Sequence, residues 1–385
     1  MLMSGSTKVD KDRLAAVEAA IAADIEAEHY DGAALSVHVG GECVLHSVQG
    51  YRHRASEATL DDDAVFITFS SGKQMTVISV LQSIERGLLH LHTPVAEVIP
   101  EFGANGKAKI NLSHLLTHTS GVVSMPPPMA PEGFGDLQAF VDVICATLPE
   151  SRPGERVRYS IMPAHAVMAE MVRRLDGGTR PFRQIVKEDI FEPLGMHDTA
   201  LGLPDDLRPR FCPVVVVDRS PGLLDPAMLE GFNEILTPEM EMPAGGYVST
   251  INDFARFAEM LRNGGELDGA RIISPATIDL VSRNYTGEKP NDIWDYAVET
   301  RGWPVFPANL GLGFFLRGEG IHPTPFGSLA SPRTFGGVGA GSTTFFIDPE
   351  KQLSYAFLST GLLEETRSTE RHQRLADLVH AAVIG

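Results

Sequence analysis

Phe66-Ile67-Thr68-Phe69-Ser70-Ser71-Gly72-Lys73-Gln74-Met75-Thr76-Val77 is the stretch on which the reading of this chain turns. An apolar run gives way, at a serine, to a helical pattern: Met75, Val77, Ile78, Val80, Leu81 and Ile84 keep a helical period until Gly87 stops it. With Ser70 as the helix cap, a serine and a lysine three residues apart share one helical face. A neutral Lys73 amine there would take the Ser70 hydroxyl proton, which is how a weak nucleophile is activated. Ser-x-x-Lys arises easily by chance in 385 residues, so the reading requires further elements.

Outward from that stretch, residues 10–30 read as an Ala- and Glu-rich helix, and Ala33 to Val37 with Cys43 to Val48 as a hairpin turning at Gly40-Gly41. Leu137 to Leu148, Ala164 to Leu175, Phe182 to Ile190 and Ser249 to Leu261 carry helical spacing. Ser124 to Phe134 holds Pro126, Pro127, Pro128 and Pro131, which excludes helix and central strand; its Met125, Met129 and Phe134 suit the rim of a pocket. From Leu310 the composition returns to strand-like runs, Gly311 to Phe315, Ser342 to Asp348 and Leu353 to Ser359, before a closing helix over Arg371 to Ile384. The expected fold is α+β. Residues 1–75 and 305–385 form an antiparallel sheet flanked by terminal helices, residues 76–304 form a mainly helical domain, and the groove between them is where a pocket would form.

The composition narrows the function. A length of 385 residues fits two packed domains, and 43% hydrophobic with 21% charged residues describes a globular chain. A formal charge of −18 opposes nucleic acid and anionic membrane surfaces as partners, and no run of about twenty apolar residues is present. The first residues, with Lys8, Asp10, Lys11, Asp12 and Arg13, lack the apolar heart of a secretion signal, so a cytoplasmic location is expected. Cys43, Cys145 and Cys212 are widely spaced free thiols, and His90 and His92 have no third ligand at metal-like spacing, so neither metal nor cofactor is expected. Gly336 to Gly341 has no lysine after it and does not read as a phosphate loop.

Three further strings lie in order: Leu115-Leu116-Thr117-His118-Thr119-Ser120-Gly121, Pro193-Leu194-Gly195-Met196-His197-Asp198-Thr199, and Ala244-Gly245-Gly246-Tyr247-Val248-Ser249-Thr250 leading to Asp253. With these the chain resembles, along nearly its whole length, the class C β-lactamase and penicillin-binding-protein-like serine hydrolases, a family that includes carboxylesterases and D-aminopeptidases. The resemblance implies a β-lactamase/transpeptidase-like fold with an all-helical domain, and a catalytic set of Ser70, Lys73 and a tyrosine. Pro153-Gly154 leads to Tyr159-Ser160-Ile161, which makes Tyr159 that tyrosine. Held near Lys73, its phenol would cycle between phenol and phenolate in a coupled pair. Ile161 stands where Asn would offer an amide, which speaks against β-lactam recognition. The family's third element, Lys-Thr-Gly or His-x-Gly or Trp-x-Gly, is matched best by Phe335-Gly336-Gly337, with Phe335 as an apolar wall in place of a cation. The backbone amides of Ser70 and Val338 are then the implied oxyanion donors.

The expected activity is hydrolysis of carboxylic esters of small molecules through an acyl-enzyme on Ser70. Trp303, in an irregular region with Tyr285, Trp294, Tyr296 and Phe306, is expected to contact a hydrophobic substrate. Three alternatives remain open at this stage: a peptidase or amidase on D-amino-acid or cyclic amide bonds, an acyltransferase, and a catalytically silent relative. His114 and His118 read as part of a structural turn.

Overall fold

The structure is a computed structural model that describes residues 8–125, 133 and 135–384. Within the proline-containing segment, Pro126, Pro127, Pro128, Met129, Pro131 and Phe134 lie outside the described residues, while Ser124 and Met125 lie within them. The elements that position the site are, in chain order, α1 (Lys11–Glu26), β1 (Gly32–Val39), β2 (Glu42–His53), β3 (Ala58–Thr59), α2 (Lys73–Glu85), α3 (Leu137–Ala146), α4 (Pro163–Leu175), α5 (Ile251–Arg262), β4 (Phe315–Leu316), β5 (Phe335–Gly339), β6 (Thr343–Asp348), β7 (Leu353–Thr360) and α6 (Glu365–Ala382).

Among the described residues the main sheet has seven strands in the order β4-β5-β6-β7-β1-β2-β3. Every neighbouring pair is antiparallel. The two ends of the chain meet at β7 and β1, in register from Leu353 opposite Val39 to Thr360 opposite Gly32. Strand β7 is buried at every position because both faces are covered, and period-2 alternation divides its side chains between two cores. Leu353, Tyr355 and Phe357 join Leu14, Val17, Ile21, Leu375 and Val379 of α1 and α6. Ala356 and Leu358 join the larger core on the opposite face.

Gly40 and Gly41 turn the first hairpin with φ of 62° and 91°, values that cost a residue without Cβ little, and Gly87 ends α2 in the same left-handed region. Helix α2 is buried from Lys73 through Ser83, the pattern of a helix running through a domain centre, and it packs on α4. Helix α5 falls inside the segment expected to be the helical domain, yet it packs on the sheet. Its Phe254 and Phe257 rings meet Phe345 of β6 edge-on, with centroids 5.3 and 5.6 Å apart. The closing helix starts at Glu365, six residues before the expected start, under an N-cap made by the Glu364 carboxylate. No described helix is long and apolar enough to cross a membrane.

Candidate active site

Ser70 does not cap α2 as expected. It sits in a 3-10 turn, Phe69–Gly72, that feeds the helix at Lys73. Phe69, immediately before it, has φ 47°, a left-handed conformation that costs a bulky residue on the order of 1–3 kcal/mol. Tertiary contacts hold that strain. The Thr68 amide donates to Tyr247 O at 2.9 Å. The Ser71 and Thr343 hydroxyls both donate to Thr68 O at 2.7 Å, tying the turn to the β5–β6 hairpin. A Cβ on Gly72 would come within 2.7 Å of Tyr247 and of the Thr68 hydroxyl, so only glycine fits there.

Lys73 is 1% exposed, and its Nζ lies 2.9 Å from Ser70 Oγ. The same nitrogen donates to Ile161 O and Ala244 O, each at 2.7 Å. Two carbonyls thus take two N–H bonds and leave the remaining tetrahedral position of Nζ facing the serine. Burial lowers the Lys73 pKa to about 7, so half of the amine is neutral near neutral pH. The remaining position is then a lone pair aimed at the Ser70 hydroxyl.

Tyr159 is buried, lines a cavity with Ser70, and has its ring centre 5.2 Å from Lys73 Nζ. Burial raises its pKa well above the usual phenol range against the opposite pull of Ser70, so the ring carries a phenol, not a phenolate, at neutral pH. It lies between His118, stacked at 4.5 Å, and Phe315 of β4 at 5.6 Å. His118 was expected only to shape a turn; it also accepts the Ser160 amide on Nδ1 at 2.9 Å. Burial, together with Lys73, holds its pKa down at about 3, so the ring is neutral and Nδ1 remains an acceptor. The Ser124 hydroxyl donates to Tyr159 O at 2.7 Å and completes the cradle.

On β5 the parity of the strand overturns one expectation. Phe335, Gly337 and Gly339 project toward α2 and the nucleophile turn. Phe335 is 1% exposed with its ring edge-on to Phe314 at 5.4 Å, so it is core and not a substrate wall. A Cβ on Gly337 would lie 2.2 Å from Gln74 Oε1, one on Gly339 2.3 Å from Thr68 O, and one on Gly336 2.0 Å from Phe345 O. These glycines admit close approach of backbone, and neither Gly336 nor Gly337 lines a cavity at Ser70. Val338, Gly339, Ala340 and Gly341 do.

Two cavities meet at Ser70. The larger, about 140 Å³, is walled by Met125, Met162, Met228, Met242, Phe232 and Ile235. The smaller, about 70 Å³, holds Tyr159, Trp294, Phe315, Val338 and Glu365. Ile161, Leu224 and Ala340 border both. Met125 and Ile161 line a cavity with Ser70, and Trp303 does not: it is 9% exposed, 5.2 Å behind Trp294, and lines a separate surface hollow with Arg317 and His322. Of the aromatic residues in that irregular region, Trp294 is the one that lines a cavity with Ser70. Among the described residues no lysine or arginine lines either cavity, and no group of His, Cys, Asp and Glu is arranged to hold a metal ion.

Known proteins are similar to this chain along most of its length. Esterase/beta-lactamase LipL of Mycobacterium tuberculosis is 26% identical over 391 residues, covering 96% of this chain and 86% of that protein. Penicillin-binding protein 4 of Amycolatopsis lactamdurans is 29% identical, covering 84% of this chain and 85% of its own length. The crystal structure of a penicillin-binding protein homologue from Caulobacter crescentus superposes with a TM-score of 0.80 at 25% identity, over 98% of this chain and 99% of the other. A family VIII carboxylesterase shares the fold with a TM-score of 0.77 at 22% identity, over 94% and 96% of the two chains. The model of the beta-lactamase family matches residues 17–380, and the chain belongs to that family.

Proposed function

We propose that the protein is a serine ester hydrolase that forms an acyl-enzyme on Ser70 and takes esters with an apolar acyl chain. The observation that carries this reading is the buried Lys73 amine, with two N–H bonds spent on carbonyls and its last position 2.9 Å from Ser70 Oγ. Lys73 is the base, because Tyr159 stays protonated. Ser70 Oγ loses its proton to Lys73 Nζ and bonds to the ester carbonyl carbon. The resulting oxyanion accepts the Ser70 amide and a second amide from β5. Thr334 O accepts the Arg317 amide on the β4 side, so even-numbered residues of β5 turn their backbone groups to that edge, Val338 included. Val338 also borders the smaller cavity with Ser70, which fits its amide to that role.

When the carbon–oxygen bond to the alcohol breaks, the Tyr159 phenol gives the departing oxygen its proton and is recharged from the Lys73 ammonium. Water then attacks the acyl carbon, yields its proton to the same pair, and Ser70 leaves reprotonated as the acid is released. The methionine-walled cavity suits an aliphatic acyl chain, since thioether side chains adjust to the shape they meet. A carboxylate-bearing substrate such as a β-lactam or a peptide C-terminus would be desolvated in either cavity without a cation to pair with. That favours esters over the amidase reading, and the esterase names among the relatives support it. The test is intact mass after a fluorophosphonate, with p-nitrophenyl butyrate turnover. One adduct and turnover, both absent in Ser70→Ala, are expected; a folded wild type without either would overturn the reading.

A further inference from the structure

The smaller cavity holds Tyr159, the proton donor to the leaving alcohol, and the larger does not. On the ester-hydrolase reading, the alcohol portion of the substrate therefore enters the smaller one. Its walls are apolar except at one end, where the first turn of α6 contributes Glu365, Ser368 and Thr369, spaced to share one helical face.

Glu365 differs from its neighbour Glu364. The Glu364 carboxylate is fully engaged: it pairs with Arg301 at 3.3 Å, accepts the Tyr296 phenol at 2.8 Å, and accepts the Thr366 hydroxyl. Glu365 accepts the Leu223 amide at 3.0 Å, burial pushes its carboxyl up to about 7 against the pull of its own, the Leu223 and the Leu224 amides, and among the described residues it has no cation within ion-pair distance. Arg371 lies behind Ser368 and donates to its hydroxyl at 3.5 Å, while the rest of its guanidinium is directed at Gly341 O, Ser342 O and the Ser359 hydroxyl. A mostly buried carboxyl group without a counter-ion, in a cavity shared with the catalytic serine, meets the cost of ionisation by holding a proton, and a cationic ligand beside it would favour the carboxylate. The Trp294 indole on the same cavity offers a π-face to a cation.

We propose that Glu365, with Trp294 and the hydroxyls of Ser368 and Thr369, forms a subsite for a primary ammonium group on the alcohol portion of the substrate. A primary ammonium presents three N–H donors, and this end of the cavity presents a carboxylate and two hydroxyl oxygens as acceptors. The preferred substrates are then esters of amine-bearing alcohols or phenols.

The experiment compares kcat/KM for 4-(aminomethyl)phenyl butyrate and the neutral, similarly shaped 4-ethylphenyl butyrate, in wild type and in Glu365→Gln. Glutamine keeps an oxygen for the Leu223 amide and removes the charge. The cationic ester should be preferred at least tenfold by wild type, and the ratio within Glu365→Gln should fall to near one whatever its absolute rates. Equal rates for the two esters in wild type, which requires no variant to fold, would overturn the proposal, as would a preference that survives in Glu365→Gln. Neutral-ester turnover reports on the hydrolase reading separately: if wild type hydrolyses neither ester, that reading fails and the subsite falls with it.

Discussion

Among the described residues two lysines are withdrawn from water, and the proposed reading makes one of them a base. Lys107 is 0% exposed and Lys73 1%. Each spends two N–H bonds on backbone carbonyls: Cys145 and Thr147 for Lys107, Ile161 and Ala244 for Lys73. Each also lies near an aromatic ring, Phe102 or Tyr159. Burial lowers both pKa values, that of Lys73 to about 7. The difference is the third position of the amine, which for Lys73 faces Ser70 Oγ on a strained turn. Burial and carbonyl acceptors alone make a structural lysine that pins a loop; a nucleophile at the remaining position makes a base.

The sharpest break of this comparison is a pair of matched variants. Lys73→Met should lower kcat/KM for p-nitrophenyl butyrate by about 10⁴, the upper end of what a lost general base costs. Lys107→Met should keep the rate within about twofold and lower unfolding stability by roughly 1–3 kcal/mol, because Cys145 O and Thr147 O lose their donor. Steady-state kinetics and urea unfolding of both variants would measure the contrast, and a large rate loss in Lys107→Met would erase it. Next in size, Tyr159→Phe keeps the stack with His118 but removes the proton given to the leaving group, for an expected kcat loss of about 10²–10³. Activated aryl esters, whose leaving groups need less protonation, should suffer less than alkyl esters. His118→Phe preserves a ring against Tyr159 and deprives the Ser160 amide of its acceptor, so about a tenfold loss is expected, with KM little changed. The smallest effect belongs to Phe335→Leu: a core change that lowers Tm by several degrees and leaves the ratio of aryl to alkyl ester turnover where it was.

Much of this was legible in the sequence for physical reasons. A serine and a lysine three residues apart must share a face whether the first turn is α or 3-10, so the pairing survived although the helix cap did not. The cap was misread because φ at Phe69 is set by contacts with Tyr247 and Thr343, both more than 170 positions away and invisible to local propensity. Strand β5 was located only through its likeness to the family's third element, and its face was not read. The run Phe335-Gly336-Gly337-Val338-Gly339 has too few side chains to display an alternation, so nothing local says that Phe335 joins Phe314 in the core. Trp294 and Trp303 occupy one irregular region without a period, and only packing distinguishes the ring that reaches Ser70 from the one behind it. Glu365 escaped notice because the first turn of α6, Glu365-Thr366-Arg367-Ser368-Thr369, carries no apolar position from which to read a helix.

The central claim, a lysine amine that is neutral enough near pH 7 to deprotonate Ser70, is tested most directly by the rate of fluorophosphonate labelling as a function of pH. The base works only in its unprotonated form, and the unprotonated fraction grows as pH rises through the Lys73 pKa of about 7. The second-order rate constant should be small at pH 5.5, half-maximal near pH 7 and level above pH 8.5. A rate that is flat across this range, or one that climbs only toward the phenol range near pH 10, would contradict the assignment of Lys73 as the base.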